Sequence, residues 1–403
     1  MQDHHNAAAA AQPLPAHAPP WVQTAEHALG AGQWHGAWCT LLDAALPAPL
    51  AVQQQVLSSL DAWDALPAQA PAAQRAALLH TALIAVRSAH DGTRNATPTA
   101  AGEQAWRVQG SGLVKRFRKG GFTLGPVDVQ VAPGNILGLV GENGNGKTTL
   151  LRLLAADLAP DAGQLDWGTS ARDPYALRAQ LAYIPQRPHP WGGQLMDHLQ
   201  FAARSHGVVG EANRCLVELV IARLSLRPFR GHQWKQLSSG YKMRFELARA
   251  LLTQPCVLLL DEPLANLDIN AQQTLLSDLQ SLARSPWRPM ALVLSSQQLY
   301  EVEKVADAVL FLEHGQPRSV QERFAQMAGC AIEFETSWPE PALVAWLGQL
   351  PAHTHQVNGH THIVSFQGDT SAADFLRAAV DAGLPLGYLR DITGSTRRLF
   401  VKD

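Results

Sequence analysis

The stretch GENGNGKTTLLRLLAA, at residues 141–156, places three glycines and a lysine directly before an apolar helical pattern. The spacing G-x-x-x-x-G-K-[ST] is met by four of its residues, namely Gly141, Gly146, Lys147 and Thr148. Glycines let successive backbone N–H groups turn toward one anion, and the N-terminus of the helix adds a partial positive charge. Because a short apolar run precedes it, the stretch predicts a P-loop that cradles the phosphates of a nucleoside triphosphate.

Two side chains of this loop have roles that follow from triphosphate chemistry. Lys147 is long enough to reach the outer phosphates, and Thr148 offers its hydroxyl to Mg²⁺. A glycine turn before an ordinary helix is the alternative, and a P-loop alone does not separate kinases from GTPases, helicases and motors. The predicted nucleotide-binding residues of the loop are Gly141, Glu142, Asn143, Gly144, Asn145, Gly146, Lys147, Thr148 and Thr149.

A second apolar run ends in two acids. The run is CVLLLDEP, at residues 256–263, and its continuous aliphatic residues are typical of a strand buried on both faces. Asp261, at the carboxyl end, is predicted to hold Mg²⁺ through water, and Glu262 to act as the general base for the attacking water. The alternative is a strand that ends in a solvated acid pair, which the P-loop nearby disfavours.

The segment LSSGYKMRFELARALL, at residues 237–252, opens a basic amphipathic helix with a Ser-Ser-Gly turn. It resembles the signature of the ABC ATPases, usually written L-S-G-G-Q. In that family the signature serine and glycine N–H groups bind the γ-phosphate held by the other subunit. The resemblance gives this role to Ser238 and Gly240, and a serine N-cap on an ordinary helix is the plainer interpretation.

The resemblance extends over residues 106–318, about half of the chain. It implies that Gln186, in YIPQ, touches Mg²⁺ and the attacking water, and that Asp268, in LANLD, lies at the dimer seam. Phe117 takes the place of the aromatic residue that stacks on adenine, with simple core packing as the alternative. The segment after Gln186 resembles the helical subdomain that receives a membrane partner, where Trp191 is either a contact or part of the core.

The sequence departs from the family pattern at three positions. Gln297 stands where the family has a histidine that contacts the γ-phosphate, and glutamine can donate a hydrogen bond but takes up no proton near neutral pH. We therefore predict slow but real ATP hydrolysis. Ser239 replaces a glycine, which requires a negative φ, and Tyr241 replaces a glutamine near the dimer seam. The predicted catalytic residues are Glu262, Gln186, Lys147 and Gln297, and the predicted metal ligands are Thr148, Gln186 and Asp261.

Alternating β-rich and helical runs predict an α/β fold with a buried, largely parallel sheet, here a P-loop NTPase of the ABC type. We assign residues 106–320 to this ATPase domain, with a helical signature subdomain. Residues 21–90 predict a bundle of three or four helices, punctuated by prolines at 47, 49, 67 and 71. The remaining segments are a disordered terminus at 1–20, a linker at 91–105, a connecting helix at 322–329 and a small ferredoxin-like α+β domain at 330–403.

Composition narrows the functional classes. The formal net charge is −2, from 32 Lys+Arg and 34 Asp+Glu, so nothing draws the whole chain to nucleic acid or an anionic membrane. The apolar runs are far shorter than the roughly 20 residues that span a bilayer. Four scattered cysteines and the lack of a secretion signal indicate reduced thiols in the cytoplasm. In the histidine-rich segment at 352–362, a polar hairpin face is expected rather than a metal site.

The resemblance implies an ATP-hydrolysing subunit of an ABC transporter that uses ATP and Mg²⁺. Two copies would pair around two ATP molecules and drive a separate integral membrane permease at the inner face of the membrane. The C-terminal α+β module resembles tails of exporter-type subunits. The alternative is a soluble ABC ATPase with a regulatory or scaffold role, in which the N-terminal helices form a docking module.

Overall fold

The structure is a computed structural model that describes residues 20–92, 108–118, 120–168, 173–285, 288–318, 329–351, 353–358, 361–366, 368 and 370–393. Several predictions fall outside these residues: the disordered terminus up to residue 19, the linker from residue 93, the connecting helix up to residue 328 and the end of the α+β domain from residue 394.

The helices are α1 (Pro20–Gly30), α2 (Trp34–Ala45), α3 (Leu50–Asp64), α4 (Ala72–Gly92), α5 (Lys147–Leu154), α6 (Pro174–Arg178), α7 (Leu195–Ser205), α8 (Gly210–Arg223), α9 (Ser239–Leu252), α10 (Ile269–Ala283), α11 (Leu299–Val302), α12 (Glu340–Leu347) and α13 (Ala372–Asp381). The strands are β1 (Val108–Arg116), β2 (Thr123–Val131), β3 (Ile136–Val140), β4 (Ala162–Asp166), β5 (Leu181–Ile184), β6 (Val257–Leu260), β7 (Ala291–Ser296), β8 (Ala308–Glu313), β9 (Gln316–Arg318), β10 (Ala331–Thr336), β11 (His353–Asn358), β12 (Thr361–Phe366) and β13 (Leu386–Asp391).

Contacts group the described elements into two compact units. The helical unit contains α1–α4 together with α7–α9, and the sheet unit contains all of the strands above with α5, α6 and α10–α13. The N-terminal helices thus share a unit with the helix that carries the signature. The domain boundaries drawn from the sequence stay predictions.

Prolines delimit the N-terminal helices where the sequence predicts them. Pro49 is the N-cap of α3, and α4 begins directly after Pro71. A proline has a fixed φ and no N–H to donate, so it suits a helix start, where that N–H lacks an intrahelical partner.

These helices bury their apolar faces partly against α8. Leu219 of α8 belongs to the same buried core as Trp38 of α2 and Val56 of α3, and Ala222 packs against it. An amphipathic helix in water must cover its apolar stripe, and here the cover comes from a distant part of the chain. The N-terminal helices and α8 therefore share one buried core.

The central sheet of the sheet unit has the strand order β5-β6-β7-β3-β8-β9, parallel except for β9. Every residue of β3, β6 and β7 is buried, as expected for strands covered on both faces. The buried, largely parallel sheet is therefore present. The strands β1 and β2 lie outside this sheet and form a separate antiparallel sheet with β4. Burial along β2 alternates over most of its length, which is typical of a strand with one covered face.

The C-terminal residues of the sheet unit follow the order β-α-β-β-α-β, as the sequence predicts over the described part. Their antiparallel sheet has the order β11-β12-β10-β13. Phe334, Phe366 and Phe375 form a buried core with Trp346 of α12. Within the part of the chain that the structure describes, no helix is long and apolar enough to cross a bilayer.

The prediction of a polar histidine face on the β11–β12 hairpin is wrong. His362 is opposite Phe334 in the strand pairing, is buried, and stacks on that ring at 5.5 Å. His355 Nε2 lies 3.2 Å from His362 Nδ1, and burial lowers the pKa of His355. The alternation of histidine and threonine is typical of a polar strand face, but strand pairing places His355 and His362 on the core face.

Candidate functional site

The loop that joins β3 to α5 has a backbone that requires glycine. Gly146 is the N-cap of α5 with a φ of +97°, and a side chain there would also meet Leu124 at 2.9 Å. A Cβ at Gly141 would lie 2.3 Å from the carbonyl oxygen of Leu312. Because L side chains rarely adopt such a φ or such contacts, the loop closes tightly around the helix N-terminus only with these glycines.

Lys147 lies inside this loop. Its ammonium donates to the carbonyl oxygens of Gly141 at 2.6 Å and Glu142 at 3.2 Å. It also forms an ion pair with Glu262 Oε1 at 3.1 Å, and the two side chains are only 5% and 9% exposed. The lysine predicted to bind phosphate and the predicted general base are therefore in direct contact.

Asp261 is fixed by three hydroxyl groups from separate elements. It accepts hydrogen bonds from Thr148 at 2.7 Å and from Tyr183 at 3.3 Å, both through Oδ2. Ser295 of β7 donates to its Oδ1 at 2.8 Å and accepts the backbone N–H of Glu262 at 2.8 Å. Burial and then the charge of Asp261 raise the pKa of the Tyr183 phenol. The two acids are thus held in one arrangement.

Ser295 and Tyr183 are members of this site that the sequence patterns above do not predict. The signal was the presence of a hydroxyl residue in the otherwise aliphatic runs ALVLSS and LAYI. A buried hydroxyl requires a hydrogen-bond partner, and on these strands the partner is Asp261.

Glu262 is held at both carboxylate oxygens. Gln297 donates from Nε2 to Oε2 at 3.0 Å, while Lys147 contacts Oε1. The backbone of Glu262 has a φ of +50°, a conformation that is uncommon outside glycine and that often marks functional positions. The residue that replaces the family's histidine is therefore a direct hydrogen-bond partner of the predicted base.

The oxygen ligands predicted for Mg²⁺ suit that ion. The Thr148 hydroxyl and the Asp261 carboxylate meet at 2.7 Å, and hard oxygen donors are those that Mg²⁺ prefers. Gln186 is exposed two residues beyond β5, which pairs in parallel with β6. Gln186 and Asp261 therefore follow the carboxyl ends of adjacent strands.

Two further predicted nucleotide residues, Phe117 and Asp268, belong to the sheet unit. Phe117 follows β1, is 36% exposed, and its ring centroid lies 6.3 Å from that of Phe122. Such a ring is accessible for stacking. Asp268 is the N-cap of α10 and accepts the N–H of Ala271 at 2.9 Å.

The signature residues belong to the helical unit. Ser238 is the N-cap of α9 and accepts the N–H of Tyr241 at 3.4 Å, and Ser239 and Gly240 form the first turn. Ser239 adopts a helical conformation, so the replacement of glycine causes no backbone strain. The ring of Tyr241 packs on Phe229, with centroids 3.9 Å apart.

Trp191 is half-buried within the helical unit. It stacks on Trp234 at 5.0 Å and donates from Nε1 to Glu246 at 2.7 Å. Of the two interpretations of Trp191, the packing one is therefore favoured.

The P-loop contacts an acid pair at the carboxyl ends of parallel strands. This arrangement defines a P-loop nucleotide-binding protein. A model of the ABC transporter family matches residues 124–265. The chain is 34% identical over 228 residues to the probable multidrug ABC transporter ATP-binding protein YbhF of Escherichia coli (strain K12), a match over 53% of this chain and 38% of YbhF.

Other relatives match over most of their own length. The chain is 34% identical over 224 residues to the nickel import ATP-binding protein NikO of Rhodobacter capsulatus, a match over 52% of this chain and 86% of NikO. It is 32% identical over 240 residues to the Nod factor export ATP-binding protein I of Paraburkholderia xenovorans, a match over 57% of this chain and 77% of that protein. The chain belongs to the family of ABC transporter ATP-binding proteins.

Proposed function

We propose that this chain is the ATP-binding and ATP-hydrolysing subunit of an ABC transporter. The observation that carries the proposal is the contact of Lys147 with Glu262 together with the contact of Thr148 with Asp261. These bonds bring the phosphate cradle and both acids to one point. Membership in the family supports ATP as the nucleotide.

In the proposed binding step, the backbone N–H groups of residues 141–149 and the ammonium of Lys147 bind the phosphates. Phe117 stacks on the adenine ring, and its exposed face supports that role. Thr148, Asp261 and Gln186 would hold Mg²⁺, which neutralises part of the phosphate charge when it is bound.

In the proposed hydrolytic step, Glu262 orients and deprotonates water. A carboxylate that acts as a base needs a free oxygen. Lys147 leaves Oε1 of Glu262 free when its ammonium turns to the phosphates, while Gln297 keeps the other oxygen fixed. Gln297 is neutral and takes up no proton near neutral pH, so hydrolysis should be slow.

We further propose that two copies sandwich two ATP molecules. Ser238 and Gly240 of a second copy close over each nucleotide, with Asp268 at the seam. The N-terminus of α9 supports this role, because its N–H groups and dipole favour an anion. The nucleotide's phosphates then satisfy donors from both copies and stabilise the pair.

The work of this cycle is proposed to be transport through a separate integral permease. The chain would lie in the cytoplasm at the inner face of the membrane and contact the membrane only through that permease. The C-terminal β-α-β-β-α-β module favours an exporter, although names of relatives include both import and export proteins. The balanced charge of the whole chain gives no support to nucleic acid as a partner.

Glu262→Gln tests the sandwich. The variant should form a dimer with MgATP that is detected by sedimentation, with little turnover, whereas the exposed Glu211→Gln should behave as the wild type. A Glu262→Gln variant that stays monomeric would overturn the sandwich. Copurification with an integral membrane protein tests the transport role, and a chain without a membrane partner would favour the regulatory or scaffold alternative.

A further inference from the structure

Within the helical unit, Arg227 lies where the N-terminal helices meet the turn before the signature. It begins the 3₁₀ turn Arg227–Phe229 that follows α8. Its side chain is 9% exposed and is paired with Asp61 and with Asp64, the latter at 2.8 Å. Both carboxylates belong to α3, and Glu218 of α8 lies 3.8 Å from its Nε. A nearly buried guanidinium thus anchors the turn to an N-terminal helix.

Phe229 connects the same turn to the signature. Its ring lies 3.9 Å from that of Tyr241, with an interplanar angle of 37°. Tyr241 follows Gly240 directly and donates its N–H to Ser238. The bulky residue that replaces the family's glutamine is therefore packed against the turn that Arg227 anchors.

Two further bonds fix the end of α8. Arg223 is 1% exposed and pairs with Asp43 of α2 at 2.8 Å. Arg244 of α9 donates to the carbonyl oxygen of Leu224 at 3.0 Å. The end of α8 is thus bonded to an N-terminal helix on one side and to the signature helix on the other.

We propose that Arg227 and Phe229 are positioning residues that hold Tyr241 and the first turn of α9 in the geometry for binding the γ-phosphate held by a second copy. The N-terminal helices α2 and α3 are the anchor of this contact chain. This inference rests on the proposed function. A positioning role affects closure over ATP, and it leaves the chain's own P-loop affinity unchanged.

The first experiment uses the Glu262→Gln background, in which hydrolysis is removed. Arg227→Met should raise the dimer dissociation constant at saturating MgATP at least about fivefold, the effect of a coupling of about 1 kcal/mol. Arg227→Lys should restore part of the affinity. The matched control is Arg214→Met on α8, the helix before this turn, where the arginine is 68% exposed and pairs with Glu211.

Binding of a fluorescent ATP analogue to the dilute monomer should be equal in Arg227→Met and Arg214→Met. This split separates positioning from a general loss of stability, which would weaken both measurements. If Arg227→Met and Arg214→Met give the same dimer dissociation constant, the proposal is overturned.

Hydrogen exchange gives a second test that needs no dimer. Amides of residues 241–246 should exchange at least about fivefold faster in Arg227→Met and in Phe229→Leu than in Arg214→Met. Phe229→Leu keeps the ion pairs of Arg227 and replaces Arg227→Met in this test if that variant fails to fold. Unchanged exchange would overturn the proposal. Failure of Glu262→Gln to dimerise, with the faster exchange present, would overturn the sandwich and leave the contact chain supported.

Discussion

Gln297 donates a hydrogen bond from Nε2 to Oε2 of Glu262 at 3.0 Å, so the switch residue and the predicted base form one unit. Gln297→His should raise kcat about tenfold, the effect of about 1.4 kcal/mol of added transition-state stabilisation. The reason is that a protonated imidazole carries positive charge beside the developing phosphate charge. Phosphate release at saturating MgATP measures the change.

The pH dependence of the increase in kcat provides a control for the effect of Gln297→His. A histidine at 297 should lose its advantage over the wild type as pH rises through the ordinary histidine pKa of about 6.5. The adjacent Gln298→His, at an exposed position, should leave kcat unchanged. If Gln297→His leaves the rate unchanged at every pH, the switch position does not limit hydrolysis.

The ion pair of Lys147 with Glu262 predicts a coupled effect on stability. Lys147→Met removes the phosphate ligand and leaves a buried carboxylate without its cation, which should cost about 3 kcal/mol of unfolding free energy. Lys147→Met/Glu262→Gln should recover most of that loss, since the buried side chain at position 262 is then neutral and no longer needs the cation. Urea unfolding without nucleotide measures the double-mutant cycle. If the changes in unfolding free energy of the two single variants add up to that of the double variant, the two side chains are not directly coupled.

Ser295 should matter for both stability and turnover. Ser295→Ala leaves Asp261 Oδ1 and the N–H of Glu262 without their shared partner, which should cost about 1–3 kcal/mol of unfolding free energy and lower kcat. Ser58→Ala is the control, since Ser58 is exposed and donates to the carbonyl oxygen of Gln54 within its own helix α3. Equal effects of the two variants on kcat would show that Ser295 has no part in the site.

The features that could be predicted from the sequence are those that depend on residues close together in the chain. The glycines and Lys147 of the P-loop are within one stretch, and the prolines that delimit α3 and α4 act on their immediate neighbours. The grouping of hydroxyls on Asp261 depends instead on β5, β6 and β7 lying side by side, which their separate positions in the chain do not reveal.

Other contacts that the sequence does not predict also depend on residues far apart in the chain. The apolar stripes of the N-terminal helices indicate which faces are buried but not that Leu219 of α8 helps to cover them. The burial of His362 depends on its pairing with Phe334, a residue on another strand. The signature predicts that Tyr241 lies near the dimer seam, but its contact with Phe229 depends on the turn after α8, which the signature does not include.

Glu301 predicts a pH dependence of stability within the sheet unit. Burial raises the pKa of this carboxyl above its ordinary value of 4.5, although the Ser296 hydroxyl bonded to it acts in the opposite direction. The folded chain therefore binds a proton that the unfolded chain releases, so unfolding free energy should fall as pH rises from 4.5 through the folded pKa. Glu301→Gln should flatten this fall, whereas Glu303→Gln, at an exposed neighbouring position, should keep it. Urea unfolding from pH 4.5 upward measures both variants, and identical profiles for them would contradict the role of Glu301.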